Sequence, residues 1–554
     1  MASFTYPPDT DPFPIAWDVV VVGGGAAGLM AALELPKALK VLLLCRDGEP
    51  RSASRWAQGG LAAAVRSDDS PSLHRADTLR AGAGLGEPAA VDLLVKEAPG
   101  CVERLLQLGL QLDRDGSELS TTLEAAHSRR RVLHAQDQTG LALVELLEQR
   151  LKAQANVCCL QGGLATQLWL KAGKCCGLQL IYGGQLGWLQ AGAVVLATGG
   201  GGHLFANTTN PASARGDGVA MAWEAGAVLR DLEFVQFHPT ALMHPGAPHF
   251  LLSEALRGEG AQLLKSDGKP LGASEMLPRD QLSRAMVREM QRSAEQRLWL
   301  DLKPVGVTKL QQQFPMILKR CIELGLAPLQ QPLPVAPAAH YWMGGVATNL
   351  AAACSIAGLY AVGEVASSGI HGANRLASNS LSECLVMAHQ LRMLNPLSNP
   401  VGPSFNKKVS SLNWNCEQTL MLKAQQASEK LRRLCWQVAG VERWGSSLEE
   451  AIKIATTIQQ ELNLSTVLKP ILEQPQGELH NVNEAQLTQF EVLWDQRQRN
   501  LVSLLLLKAA AFREESRGGH FRRDAPAALP YWCRHSLQRI GEKLSTAAVG
   551  EAIN

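Results

Sequence analysis

The chain lacks the spacings that hold metals. Its 12 cysteines include two adjacent pairs, Cys158-Cys159 and Cys175-Cys176, but no Cys-x-x-Cys, and its 13 histidines form no His-Glu-x-x-His. Neither an iron–sulfur nor a zinc ligand set is present, so no protein-bound metal is expected. Such cysteines in 554 residues fit reduced, mostly buried thiols. An excess of one charge is lacking too. Fifty-three basic and 51 acidic side chains leave a net charge of +2, and the Arg129-Arg130-Arg131 run is too short for a polyanion, so nucleic acid is not an expected partner. Long apolar runs are missing: Val194 to Leu196 and Leu501 to Leu507 fall far short of the roughly 20 residues of a membrane span. Between Met1 and Trp17 no basic segment precedes an apolar one, so no secretory signal is read there. The expectation is a cytoplasmic protein that does not enter a membrane.

A 46% hydrophobic composition supplies a large core and suggests two to four domains. Trp17 to Val22 reads as a buried parallel strand, followed by the turn Gly23-Gly-Gly-Ala-Ala-Gly28, a helix over Leu29 to Leu39 and a second strand over Val41 to Cys45. This is the opening unit of a dinucleotide-binding α/β fold. A second apolar strand, Val194 to Leu196, runs into Ala197-Thr-Gly-Gly-Gly201, returning glycine to the same sheet edge. Helices are expected over Pro88 to Gly109 and Gly140 to Ala153. From about Leu232 to Gly345 the texture turns to polar loops and prolines, and Gly358 to Gly363 then restores a buried strand. An inserted α+β capping domain explains the interruption. Beyond Phe405 helix formers dominate, over Glu417 to Val438, Ser447 to Leu462 and Asn483 to Glu515. The division read is a discontinuous sheet domain (1–232 and 346–404), a cap (233–345) and a C-terminal helical bundle with tail (405–554).

The Gly23-x-Gly25-x-x-Gly28 spacing allows a tight turn, close approach to a pyrophosphate and helix–strand packing. Where an acid would grip the adenosine ribose stands Leu44-Cys45-Arg46, with Asp47 a displaced substitute. Downstream, His371-Gly-Ala-Asn-Arg375 sets two potential cations before a helix from about Leu381 to Arg392, with Ser378, Asn379 and Ser380 as natural caps. Such a helix start favours an anionic or electron-rich ligand.

Five further segments carry a resemblance: Ser52-Ala-Ser-Arg-Trp-Ala-Gln-Gly-Gly60, Ala197-Thr-Gly-Gly, Gly216-Asp-Gly218, Gly363-Glu364 and Asn379-Ser380. In that order they resemble the FAD contacts of the succinate dehydrogenase and fumarate reductase flavoprotein family, nearly continuously from Asp18 to about Leu391 and again over Glu515 to Asp524. The resemblance implies FAD held by Gly23, Gly25, Ala26, Ala27 and Gly28, by Ser52, Ser54, Gln58, Gly59 and Gly60, by Thr198, Gly199, Asp217 and Glu364, and by Asn379, Ser380 and Leu381. Membrane-bound members attach FAD through a histidine that here is Ala53, which implies dissociable, non-covalent FAD.

Phe237-His238-Pro-Thr240, Ser253-Glu254-Ala-Leu-Arg257, Pro278-Arg279-Asp280, Ala339-His340 and Asn374-Arg375 resemble the family's pocket for four-carbon dicarboxylates. Two arginines with two histidines can neutralise and orient both carboxylates. The resemblance implies substrate binding by His238, Ser253, His340 and Arg375, proton transfer at Arg279, and a relay through Glu254 and Arg257. Within the family the chain is most similar to the branch that oxidises L-aspartate, in which Glu124 receives the substrate ammonium. That implies oxidation of L-aspartate to iminoaspartate, reoxidation by dioxygen or fumarate, and quinolinate synthase downstream without a required stable complex. The proton leaves either from the amine or from Cβ through Arg279. The rival readings are a fumarate reductase or succinate dehydrogenase subunit, which needs an iron–sulfur partner, and a non-catalytic flavoprotein. One departure concerns Ala125-Ala126, which replace a glycine pair common in relatives; if those positions need positive φ, the alanines strain the loop. His244 and His249 match nothing and are read as surface residues.

Overall fold

The computed structural model describes residues 11–13, 15–46, 52–272, 277–397, 409–411, 418–476 and 478–552. At its centre lies a parallel sheet of β1 (Trp17–Val22), β2 (Val41–Cys45), β3 (Val157–Gln161) and β4 (Gln185–Leu196). β1 pairs with β2 and β4, and β2 with β3. Leu359–Ala361 extends the sheet beyond β4. The strands read as continuous apolar runs because both faces are covered. Val20, Val22, Leu42, Leu44, Val194 and Leu196 face one core, and their neighbours Val19, Val21, Val41, Leu43, Ala193 and Val195 face the other.

The second core is closed by α1 (Ala26–Glu34) and by helices Pro88–Gln107 and Thr139–Leu151, as the sequence predicts. A small antiparallel sheet follows, centred on β5 (Val235–Leu242) and β6 (Leu333–Trp342), with α2 (Arg279–Ser293) packed against it. Asp137 ties this sheet's segment to the central domain, because its carboxylate accepts backbone N–H bonds from Met316 (3.2 Å) and Ile317 (2.8 Å). These are the opening turn of helix Pro315–Glu323, whose free N–H groups favour an anion.

α3 (Asn379–Gln390) returns the chain to the central core. The expected C-terminal helices are present as α4 (Gln418–Ala439), α5 (Gly445–Asn463) and α6 (Glu484–Phe512). Asn483 and Gln486 start α6 with a reciprocal capping box. The Leu501 to Leu507 run lies in the C-terminal half of α6, buried in the first core; truncating Leu505 to alanine would cost about 2–5 kcal/mol. No described helix is long and apolar enough to cross a membrane.

The helical region expected over residues 405–554 is present, and short strands of the same segment also join the rest of the chain. The 404/405 boundary lies outside the described residues. Leu479–Asn481 pairs with Gln185 and Leu186 of β4, and Arg534–Gln538 pairs with Leu229 and Arg230. The segment is thus woven into two sheets of the rest of the chain. Short strands whose partners lie hundreds of residues away leave no local periodicity to read.

Candidate active site

β1 runs on into Gly23, β4 into Ala197-Thr198 and the 359–361 strand into Gly363-Glu364, so three turns meet at one edge of the sheet. A cavity opens there and continues to the second sheet, where α2 and β6 form its far wall. Gly23 has φ +117, and a Cβ on it would lie 2.2 Å from the Ala197 carbonyl oxygen. Gly28 does not line the cavity: a Cβ there would lie 1.9 Å from the Gly23 carbonyl oxygen, so it is the packing glycine. Gly25, Ala27, Gly59, Gly60 and Gly199 line it, whereas Ala26 does not; its N–H is bonded to Ser54 Oγ at 3.1 Å. Ser52 accepts from Arg55 N (3.2 Å), capping the short helix that Ala53 begins.

Several lining groups are buried without a partner: both amide atoms of Gln58, Thr198 Oγ1, Asp217 Oδ1 and Arg375 Nε. Buried polar atoms are rarely left so unless a ligand satisfies them. Glu364 accepts from Trp342 N at 2.9 Å, and burial pushes its carboxyl up to about 7. Arg46 occupies the ribose-gripping position. It bonds Asp495 at 2.8 Å and Asp217 at 3.3 Å, so Asp217 divides its carboxylate between Arg46 and the cavity. Asp47 lies outside the described residues.

Ser380 and Leu381 line the cavity at the start of α3, but Asn379 does not. Its amide turns away to His74 (2.8 Å) and Thr78 (3.1 Å), so a side-chain contact to the cofactor is corrected. Ser378 is not a conventional cap either. It has φ +60 and no cap bond; its Oγ instead accepts from Gly60 N (3.2 Å) and donates to Glu124 (2.7 Å).

At the other end, Arg279, Arg375, His238, His340, Ser253, Glu254 and Glu124 all line the cavity. Arg279 donates to Glu254 through Nε (2.8 Å) and Nη2 (2.6 Å), and Arg257 donates to the same carboxylate at 2.8 Å. Burial alone would raise the Glu254 carboxyl, but the two guanidiniums outweigh it and hold it below the usual range. Arg257 sits behind Glu254 and does not line the cavity. Burial, reinforced by the charge of Arg279, lowers Arg375 to about 10.

His238 and His340 pack edge to face at 5.2 Å. Burial first, then the arginines, drive both far below the ordinary histidine value, so both rings are neutral. The expectation that they add charge is therefore corrected: the arginines carry the positive charge, and the imidazoles orient by hydrogen bonding. His340 Nδ1 bonds Thr209 Oγ1 at 2.9 Å. Ser253 Oγ accepts from Ala255 N at 3.3 Å, and its hydroxyl hydrogen remains to be donated. His371 does not line the cavity, and its Nδ1 is buried without a partner. Its Nε2 bonds Glu383 (2.8 Å), which also accepts from Tyr341 (2.7 Å) and Ser368. His244 and His249 are half-buried rather than surface residues, and His249 Nδ1 accepts from Thr208 N at 3.3 Å.

Glu124 is 3% exposed, and burial and the charge of Glu254 raise its carboxyl above the usual range. Its loop turns through a bond from His127 N to its own carbonyl at 3.2 Å. Ala126 in that turn has φ 67, so the strain anticipated for the glycine pair is present at its second position.

Gln236 and Tyr341 escape sequence reading. Gln236 Oε1 accepts from both Arg279 (2.8 Å) and Arg375 (3.0 Å), bridging two like charges. A neutral amide before the Phe-His-Pro-Thr segment gives no chemical signal. Tyr341 lies under Arg375, whose guanidinium carbon is 4.5 Å from the ring centre. Its signal was its place directly after His340.

Residues 18–381 match the FAD binding domain family, and residues 428–549 match the family described as fumarate reductase flavoprotein C-term. A solved quinol fumarate reductase from E. coli superposes with a TM-score of 0.83 at 25% identity, covering 97% of each chain. L-Aspartate oxidase of Nostoc sp. (strain PCC 7120) is 49% identical over 95% of this chain and 93% of its own. That of Synechocystis sp. (strain PCC 6803) is 44% identical over 94% and 96%. This chain belongs to the L-aspartate oxidase family. FAD is the cofactor of that fold, and the glycine cradle and orphaned polar atoms fit it. Its place in the L-aspartate oxidase family also gives the strained Ala126 turn a context, since the turn carries Glu124.

Proposed function

We propose that this protein catalyses FAD-dependent oxidation of L-aspartate to iminoaspartate. The observation that carries the reading is Glu124, a buried carboxylate fixed by Ser378 in a cavity otherwise built around Arg279 and Arg375. The two arginines neutralise the substrate carboxylates. His238, His340 and Ser253 orient them through hydrogen bonds. Glu124 receives the ammonium group that succinate lacks, which favours aspartate over a plain diacid. Arg279 holds or accepts a proton at the substrate, with Glu254 and Arg257 behind it as the relay.

FAD rests non-covalently among Gly23, Gly25, Ala27, Ser52, Ser54, Gln58, Gly59, Gly60, Thr198, Gly199, Asp217, Glu364, Ser380 and Leu381, with Ala53 in place of an attaching histidine. Bound FAD supplies the two-electron acceptor, itself regenerated by dioxygen, with peroxide formed, or by fumarate. The start of α3 favours negative charge on a group placed before it. Iminoaspartate hydrolyses in water, so it must be consumed promptly, by quinolinate synthase in NAD biosynthesis, without a stable complex being required. The reaction is placed in the cytoplasm, in keeping with described cysteines that are all free.

The test is anaerobic addition of L-aspartate to the purified flavoprotein while the oxidised flavin band is recorded. Bleaching by L-aspartate and not by succinate supports the reading. Bleaching by succinate alone assigns the dehydrogenase branch, and a spectrum indifferent to both sinks the catalytic reading.

A further inference from the structure

The last forty residues lie far from the substrate site in sequence, yet Arg517-Gly-Gly-His-Phe521 packs directly behind it. Gly519 N donates to the Ala373 carbonyl at 2.9 Å, two residues before Arg375. A Cβ on Gly519 would lie 2.5 Å from the Val235 carbonyl oxygen, one residue before Gln236, and one on Gly518 would lie 2.3 Å from the Ala373 carbonyl oxygen. Both contacts are far below the 3.4 Å at which ordinary packing begins. The segment therefore reaches the backbone of two substrate-gripping elements at distances open only to glycine.

It grips the third element from the side. Arg284, on α2 just beyond Arg279, reaches the Gly518 carbonyl at 3.4 Å and lies 5.1 Å from the centre of the Phe521 ring. Arg284 also pairs with Asp280 at 2.8 Å, and Asn374 Nδ2 donates to Asp280 at 3.3 Å. Asn374 in turn accepts from Gln236 at 3.0 Å. The neighbours of the two substrate arginines thus bond one another, and the tail touches the two elements that carry them and the strand that carries Gln236.

We infer that the 517–521 segment is a positioning element that sets the separation of Arg279 and Arg375, and through it the length of diacid the site accepts. This rests on the reading that both arginines bind carboxylates. Two like-charged guanidiniums sharing one amide oxygen repel, and although Glu254 holds Arg279, their separation also depends on how the elements behind the cavity are packed. Within the cavity Glu254 holds Arg279, Ser380 and Tyr341 hold Arg375, and the Gln236 amide oxygen accepts from both; the tail packs against β5, α2 and the 373–375 segment from the opposite side.

The test uses the holoenzyme and two diacids that differ by one methylene. Dissociation constants of succinate and glutarate are read from their perturbation of the flavin spectrum, with KM and kcat for L-aspartate alongside. Gly519→Ala pushes Val235 away from the tail. Succinate should weaken about tenfold, with glutarate changing less than about threefold, and KM for L-aspartate should rise more than kcat falls. FAD content should stay at the wild-type level. Phe521→Leu, which leaves the backbone contacts intact, should shift the same ratio about threefold, and Phe521→Tyr, which keeps the ring, should restore it. If Gly519→Ala does not fold, the Phe521 pair carries the test. Equal weakening of both diacids, or no change in their ratio, overturns the inference in favour of a purely structural tail. A wild-type protein that binds neither diacid instead overturns the reading of the arginines.

Discussion

The two ends of the cavity are built from opposite materials. The cofactor end is backbone: glycines at Gly23, Gly25 and Gly59, with Gln58, Thr198 and Asp217 presenting buried polar atoms that no residue satisfies. The substrate end is side chain, where Glu254 answers Arg279 and Arg257, Gln236 answers Arg279 and Arg375, and Ser378 answers Glu124. One end is left incomplete until its ligand arrives. The other is nearly complete by itself, so its charges are already aimed when substrate enters. The same physics predicts unequal responses to mutation: the substrate end unravels when one member goes, whereas the cofactor end loses one contact at a time.

The comparison breaks most severely at Arg279. Arg279→Leu removes the group proposed to handle the substrate proton and leaves Glu254 paired with Arg257 alone. Turnover should fall by about 10³-fold or more, measured by flavin reduction in a single anaerobic turnover, with a stability loss of about 3–5 kcal/mol in urea. Glu124→Gln is the next largest. KM for L-aspartate should rise about 10- to 100-fold with succinate binding unchanged, since an ion pair becomes a neutral contact. Because burial raises the Glu124 carboxyl, the wild-type KM should climb as pH falls through that raised value, while the glutamine variant shows no such limb.

At the cofactor end, Gln58→Leu should weaken FAD about tenfold, one lost set of buried hydrogen bonds, and leave kcat at saturating FAD within about twofold. Fluorescence titration of apoprotein measures it. A drop in kcat as large as that of Glu124→Gln would erase the distinction between the two ends. The smallest effect is expected at Ala126→Gly, which relieves a left-handed alanine. Stability should rise by up to about 1 kcal/mol, and the looser turn should raise KM for L-aspartate about two- to threefold.

Much of this is legible in the chain itself, for unequal reasons. The turn at Gly23 to Gly28 and the strands feeding it are local facts of backbone and hydrophobicity, so β1 and β2 fall where sequence puts them, whereas α1, expected over Leu29 to Leu39, starts inside the glycine turn at Ala26 and stops at Glu34, ahead of Pro36. Arg279, Arg375 and Glu124 carry charge within ordered segments and stand out. What sequence withholds is pairing. His371 looks like a ligand group until Glu383, Tyr341 and Ser368 claim its surroundings. His238 and His340 look like cations until burial beside two arginines makes them neutral. Gln236 carries no charge to notice, and Asn379, a natural helix cap, spends its amide on His74 and Thr78.

The glycine contacts behind the substrate site also bear on the order in which a ribosome delivers this molecule. Residues that shape the cofactor cradle, up to Glu364 and the start of α3, have all emerged while the Gly518-Gly519 segment is still unsynthesised. At about 5–20 residues per second, several seconds separate the two. During that interval the chain owns the glycines of a flavin cradle but neither Asp495, which anchors Arg46 beside it, nor the 517–521 segment packed behind the arginines, so both ends of the cavity wait on the last part of the chain to be made.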